Sequence, residues 1–179
     1  DGYLYTAVVE LLDGESIVDS YEQTVGIRTV AVDGNRFLIN GAPFYFTGFG
    51  KHEDTPVRGK GHDDAFLVHD FELFDWIGAN SFRTSHYPYA EEVYDYADRH
   101  GIVIIDETPA VGQNFGLMGG VFGGETLVTF SPETVGQAAQ DAHRQVIREL
   151  IARDKNHPSV VVWSIANEPE SHTAEAEAY

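Results

Sequence analysis

Several apolar runs in this sequence end on groups that can move protons or make directed hydrogen bonds. Val160-Val161-Val162-Trp163-Ser164-Ile165 leads to Asn167-Glu168-Pro169. Ile102-Val103-Ile104-Ile105 leads to Asp106-Glu107, the run from Asn80 leads to Arg83 and His86, and residues 44–49 lead to Lys51-His52-Glu53. Three valines without polar alternation read as a strand buried on both faces, as in a parallel sheet. The carboxyl end of such a strand is where α/β barrels carry catalytic groups. One polar strand end says little. Four in succession would leave many groups unpaired unless a ligand or an internal network met them. Glu53, Arg83 and Asp106 fit charge-paired scaffolding as well as a site, and Arg83 fits a role in orienting a neighbouring carboxylate. His52, Glu53, His86 and Asp106 could also supply metal ligands. No His-x-x-x-His pair fixes two of them on one element, so no metal is expected.

The elements that must position these groups fall into two styles. Residues 3–12 and 17–27 read as extended runs around the turn Asp13-Gly14. A second hairpin turns at Asp33-Gly34-Asn35, and Asn40-Gly41 turns the chain again. Residues 1–40 therefore read as the last strands of a β-sandwich with a linker hairpin. From 41 the period changes. A buried strand over 44–49 is followed by a helix that Asp63 or Asp64 caps, with Phe66, Leu67, Phe71, Phe74 and Ile77 at helical spacing and Gly78 as the stop. A short strand over 80–84, a helix over 90–100 ended by Gly101, and a strand over 102–105 come next. A glycine-rich loop spans 109–130. Ser131-Pro132 then reads as an N-cap with proline at the first helical position. That helix carries Val135, Ala138, Ala139, Ala142, Val146 and Leu150 on one face and basic residues in its last turn. Strand–helix units in alternation predict a parallel sheet with helices outside. No Gly-x-Gly-x-x-Gly stands at the first strand–helix turn, which weakens a nucleotide-binding reading.

Composition narrows the classes further. Hydrophobic residues make up 42% of the 179, enough for a core. A formal charge of −18 argues against nucleic acid as partner. No apolar run approaches the roughly 20 residues of a membrane helix. The sequence has no cysteine and starts without a signal-peptide pattern, which favours the cytoplasm. It reads as cut from something longer.

Two long stretches carry a family resemblance. Asn80-Ser81-Phe82-Arg83-Thr84-Ser85-His86-Tyr87-Pro88, continuing to Asp98 and Gly101-Ile102-Val103-Ile104-Ile105, is similar to one signature of glycoside hydrolase family 2. Asp154-Lys155-Asn156-His157-Pro158-Ser159 through Trp163-Ser164 to Asn167-Glu168 is similar to the other. Val25-Gly26-Ile27-Arg28, His52-Glu53-Asp54, Arg58-Gly59-Lys60-Gly61 and Thr84-Ser85-His86-Tyr87-Pro88-Tyr89-Ala90-Glu91-Glu92 resemble the β-glucuronidase branch.

The resemblance implies an α/β fold: the first half of a TIM (β/α)8 barrel over 41–179, preceded over 1–40 by the last strands of an immunoglobulin-like β-sandwich. It implies a retaining β-glycosidase that hydrolyses β-D-glucuronides, homo-oligomeric at full length and without a cofactor. Glu168 would be the general acid/base, sharing a rim with His86. Asn167 would bond the sugar 2-hydroxyl, and His86 would line the sugar pocket, with Arg83, Glu53 and Asp106 as candidate support. The loop bearing Phe115, Leu117 and Met118 would sit over the aglycone. Such chemistry needs two carboxyls around an oxocarbenium-like state. The family's nucleophile, and the Asn-x-Lys that reads the glucuronide carboxylate, would lie beyond residue 179. Region 41–179 is also shorter than the about 250 residues of a complete barrel. Hydrolysis by the chain alone is therefore not expected. A β-galactosidase, a non-catalytic sugar-binding fragment, and a structural chain that pairs with another to complete a barrel are the alternatives.

Overall fold

The computed structural model describes residues 2–123 and 127–179, apart from the side chains of Met118 and Phe122. Strands β1 (Leu4–Asp13) and β2 (Ser16–Gly26) form an antiparallel hairpin with a bulge after Leu11. Strands β3 (Val30–Asp33), β4 (Arg36–Ile39) and β5 (Ala42–Phe44) form an antiparallel sheet in sequence order. Asn40 and Gly41, at φ 51 and 77, make the second turn in the left-handed region.

The strand expected over 44–49 is divided. Its first residue closes the antiparallel sheet, and the parallel sheet starts only at β6 (Gly48–Lys51). Asn80 holds the crossing segment between them: its Nδ2 donates to the Tyr45 carbonyl and its Oδ1 accepts from Thr47 N, both at 2.8 Å. A Cβ on Gly48 would fall 1.9 Å from the Ser81 carbonyl oxygen, so the approach of β6 to its neighbour admits only glycine.

After β6 come a small hairpin of β7 (Asp54–Thr55) and β8 (Gly59–Lys60), helix α1 (Asp64–Ile77), β9 (Ser81–Thr84), α2 (Glu91–His100) and β10 (Val103–Glu107). Helices α3 (Phe115–Phe122) and α4 (Gln137–Asp154), strand β11 (Val160–Ser164) and helix α5 (Ala174–Ala178) complete the order. β6, β9, β10 and β11 lie side by side in sequence order, all parallel. This is the α/β architecture expected, with half the strand number of a (β/α)8 barrel.

Local chemistry sets the helices. Asp63 caps α1 by accepting from Ala65 N and Phe66 N, and Gly78 closes it at φ 71. α2 has Glu91 and Glu92 in its first turn and Arg99 and His100 in its last, matching the helix dipole. α4 does not start at Ser131-Pro132. The Thr134 hydroxyl bonds back to the carbonyls of Val128 and Thr129 and meets Ser131 Oγ at 3.0 Å, which closes a turn there. The helix begins only after Gly136. Within the glycine-rich loop, Asn114 Oδ1 accepts from Leu117 N at 3.1 Å and nucleates α3.

Alternation along the parallel strands sorts side chains between two faces. Phe82, Ile104 and Val160 face the helices and pack with Leu67, Phe71, Phe74, Val93, Tyr94 and Ala97. The intervening residues, Arg83, Ile105 and Glu107 among them, take the other face, the inside of the half barrel, and a register shift in the β10–β11 pairing after Val160 brings Ser164 to that face as well. Among the described residues no helix is long and apolar enough to cross a membrane.

Candidate active site

The inner face is organised by Glu107, which is fully buried. Ser164 stands opposite it in register on β11 and donates Oγ–H to Glu107 Oε2 at 2.7 Å. His86, just past the end of β9, places Nδ1 2.6 Å from Oε1. Arg83 Nε lies 3.2 Å from Oε2, near enough for an ion pair. It is off the line needed for a hydrogen bond, since Nε counts among the buried atoms without one. The peptide between Ser85 and His86 is cis.

Arg83 carries the network to Asn167, with Nη2 3.4 Å from Asn167 Oδ1. A guanidinium only donates, so the amide oxygen faces it and the amide NH2 is left for another partner. Glu168 follows in the left-handed region, at φ 48. A non-glycine residue held there stores about 1–3 kcal/mol of strain and needs outside support. The segment after β10 supplies it. The Ala110 carbonyl accepts from Asn167 N at 2.8 Å, the Gln113 carbonyl accepts from Glu170 N at 2.7 Å, and Asn114 Nδ2 approaches the Glu168 carbonyl at 3.4 Å. Glu168 is exposed, and among the described residues no ion pair or hydrogen bond engages its carboxylate. Among the described residues the parallel sheet has four strands, and none forms an opposite wall over it.

Other strand-end residues go elsewhere. Lys51 turns outward to Asp70 of α1, 2.7 Å away. Asp106 also turns outward, accepting from Tyr94 Oη at 2.7 Å and Thr84 Oγ1 at 3.2 Å. Its carboxyl thus lies on the helix side of the sheet, away from Glu107, because consecutive strand residues alternate. Glu53 is buried with Oε1 unpaired, beside Tyr87. Burial and the Glu53 charge push the Tyr87 hydroxyl up to about 12. His52 packs edge-on against His86 at 5.3 Å. Phe115 is half-buried and Leu117 is 53% exposed, both on α3; the Met118 side chain lies outside the described residues.

Among the described residues, the grouping dense enough for a cation is Asp95, Asp98 and His157. It lies by the amino end of β11, the far end of the sheet from Glu107. Its His157 Nδ1 already meets Asp98 Oδ2 at 2.7 Å.

In the sequence Glu107 stands at a strand end with no role assigned to it. The available signal was the outward period of Ile104, which sends Asp106 outward and Glu107 inward.

A half barrel with Asn-Glu at the end of its fourth parallel strand, tied to a buried carboxylate and a histidine, defines a class of hydrolase scaffold. The profile described as "Glycosyl hydrolases family 2, TIM barrel domain" matches residues 30–179, and the chain belongs to that family. It is 56% identical over 178 residues to a β-glucuronidase of Paenibacillus borealis, covering 99% of this chain and 29% of that protein. The structure of the Dictyoglomus thermophilum β-D-glucuronidase superposes with a TM-score of 0.87 at 49% identity, covering 98% of this chain and 29% of that one. The Bifidobacterium dentium β-glucuronidase complexed with coumarin-3-O-glucuronide gives 0.80 at 50% identity, covering 98% and 26%. The chain thus spans under a third of the length of these relatives.

Proposed function

We propose that this chain carries the acid/base half of the catalytic site of a retaining β-glucuronidase. The observation that carries the reading is the Asn167–Glu168 pair at the carboxyl end of β11, joined through Arg83 to Glu107 and His86. The names of the relatives supply the sugar. In this reading Glu168 protonates the departing glycosidic oxygen and later takes a proton from the attacking water. Asn167 Nδ2 donates to the sugar 2-hydroxyl, a bond that tightens as positive charge develops at the anomeric carbon. His86 borders the sugar, and the α3 segment with Phe115 and Leu117 borders the aglycone. A second carboxylate about 5–5.5 Å from Glu168, as retention requires, comes from the barrel strands this chain does not contain.

The test is a hybrid in which residues 1–179 replace the matching segment of the Dictyoglomus thermophilum enzyme. It should hydrolyse aryl β-D-glucuronides and leave the corresponding galactosides largely untouched. Glu168→Gln should lower kcat by about 10²–10⁴-fold. The loss should be greater for an alkyl glucuronide, whose leaving group needs the proton, than for 4-nitrophenyl glucuronide. An unimpaired Glu168→Gln hybrid would refute the acid/base assignment, and a galactoside preference would refute the sugar.

A further inference from the structure

We infer that Glu107 is a positioning residue for this site: its carboxylate fixes the His86 ring as the Nδ1–H tautomer and so sets Nε2 as an acceptor for a sugar hydroxyl. The inference rests on the glycosidase reading above and adds the device that orients its sugar-facing groups.

Glu107 is fully buried on the inner face and meets three partners from the strands on either side. They are His86 Nδ1 at 2.6 Å, Ser164 Oγ at 2.7 Å and Arg83 Nε at 3.2 Å. An ionised carboxylate only accepts, so the His86 proton shared with it must sit on Nδ1. In the neutral imidazole the opposite ring nitrogen then presents a lone pair. Among the described residues Nε2 has no partner, and it is absent from the buried unpaired atoms, so it is open to solvent. The His86 side chain as a whole remains 24% exposed.

The other arm behaves alike. Arg83, held at Glu107, takes Asn167 Oδ1 and leaves Asn167 Nδ2 without a partner among the described residues. A closed scaffold network would use up its donors and acceptors internally. This one ends on two unused groups of opposite polarity, an acceptor at His86 Nε2 and a donor at Asn167 Nδ2. The ligand class that satisfies both is a sugar, whose hydroxyls each donate and accept.

The test uses the hybrid enzyme. Neutron diffraction should find the His86 proton on Nδ1 only; a proton on Nε2, alone or in addition, overturns the inference without any variant. Glu107→Gln preserves the shape but offers His86 an amide that can accept or donate, so the single tautomer should be lost. KM for 4-nitrophenyl β-D-glucuronide should rise roughly tenfold, about one hydrogen bond's contribution, with a smaller change in kcat. Because Glu107 acts through both His86 and the Arg83–Asn167 arm, adding Glu107→Gln to a His86→Ala/Asn167→Ala double variant should raise KM little further. Additive effects, or an unchanged tautomer in Glu107→Gln, would mean that Glu107 only stabilises the fold. An unimpaired Glu168→Gln hybrid would remove the glycosidase reading but leave the tautomer result to decide this one.

Discussion

Asp106 and Glu107 are adjacent and chemically alike, yet strand alternation sends one to the helices and the other to the barrel interior. Asp106 is fully buried, as is Asp154, which Arg153 grips at 2.6 and 2.7 Å. Asp106 Oδ2 has no partner by geometry. Burial first, and then the neighbouring Asp154, hold the Asp106 carboxyl well above the usual carboxylate range, against the pull of Tyr94 and Thr84. A proton retained on Asp106 turns its orphaned oxygen into a donor facing Asp154. The folded state then binds this proton more tightly than the unfolded chain, so stability falls as pH rises. The contribution is full below the ordinary aspartate pKa of about 3.9 and is lost as pH climbs through the raised folded value. Melting temperature against pH should show this decline, and Asp106→Asn, a permanent mimic of the protonated acid, should flatten it. An identical slope in the variant would place the retained proton elsewhere. The candidate site was legible in the sequence as strand-end chemistry at Asn167, Glu168, Arg83 and His86. The split between Asp106 and Glu107 requires the strand to run through both, whereas the apolar run that marks it in the sequence stops at Ile105.

Elements were legible where a single residue decides them. Asp63, Gly78 and Gly101 mark the ends of α1 and α2 in the sequence itself, and Val160–Ser164 announces its strand by composition. Elements that distant partners decide are not legible in the local sequence. Asn80 reaches back across 33 and 35 positions to end one sheet and start the next. Thr134 competes with the cap expected at Ser131. The join of α2 to β11 is also a matter of distant partners. Asp98 Oδ2 meets His157 Nδ1 at 2.7 Å, and Oδ1 accepts from Ser159 N at 2.9 Å. Asp98→Ala should therefore lower unfolding free energy by about 2 kcal/mol near pH 6, a charge-assisted contribution. The hydrogen bond to Asp98 raises the His157 pKa above its ordinary value, against the effect of burial. The ionic part is thus present below the ordinary histidine pKa and is lost as pH rises through the raised one. Urea titrations of both proteins should show the gap narrowing at high pH; a constant gap would mean the ionic part is negligible.

At the scale of the molecule, this chain exposes more surface than its mass warrants. The accessible area is 11597 Å². A compact monomer of 19.8 kDa exposes about 8,600 Å². Part of the excess is apolar. Val8, Val9, Leu11, Leu12, Ile17 and Val18 on the β1–β2 hairpin are each more than half exposed. β6 and β11 are open edges of the parallel sheet. The purified chain should therefore self-associate in gel filtration and show no hydrolysis of aryl glucuronides. Coexpression with the remaining barrel strands of a relative should restore turnover. Activity from the chain by itself would mean that both carboxyls are already present.

The strained backbone at Glu168 is propped mainly by main-chain carbonyls, those of Ala110 and Gln113. Carbonyls are common to every residue type, so the composition of the stretch beneath the acid is largely decoupled from the acid's position. In the proposed reading, side chains there and along α3 beyond it form a region in which mutation can retune leaving-group preference while Glu168 stays where it is. For an enzyme engineer, that stretch is the place to randomise first.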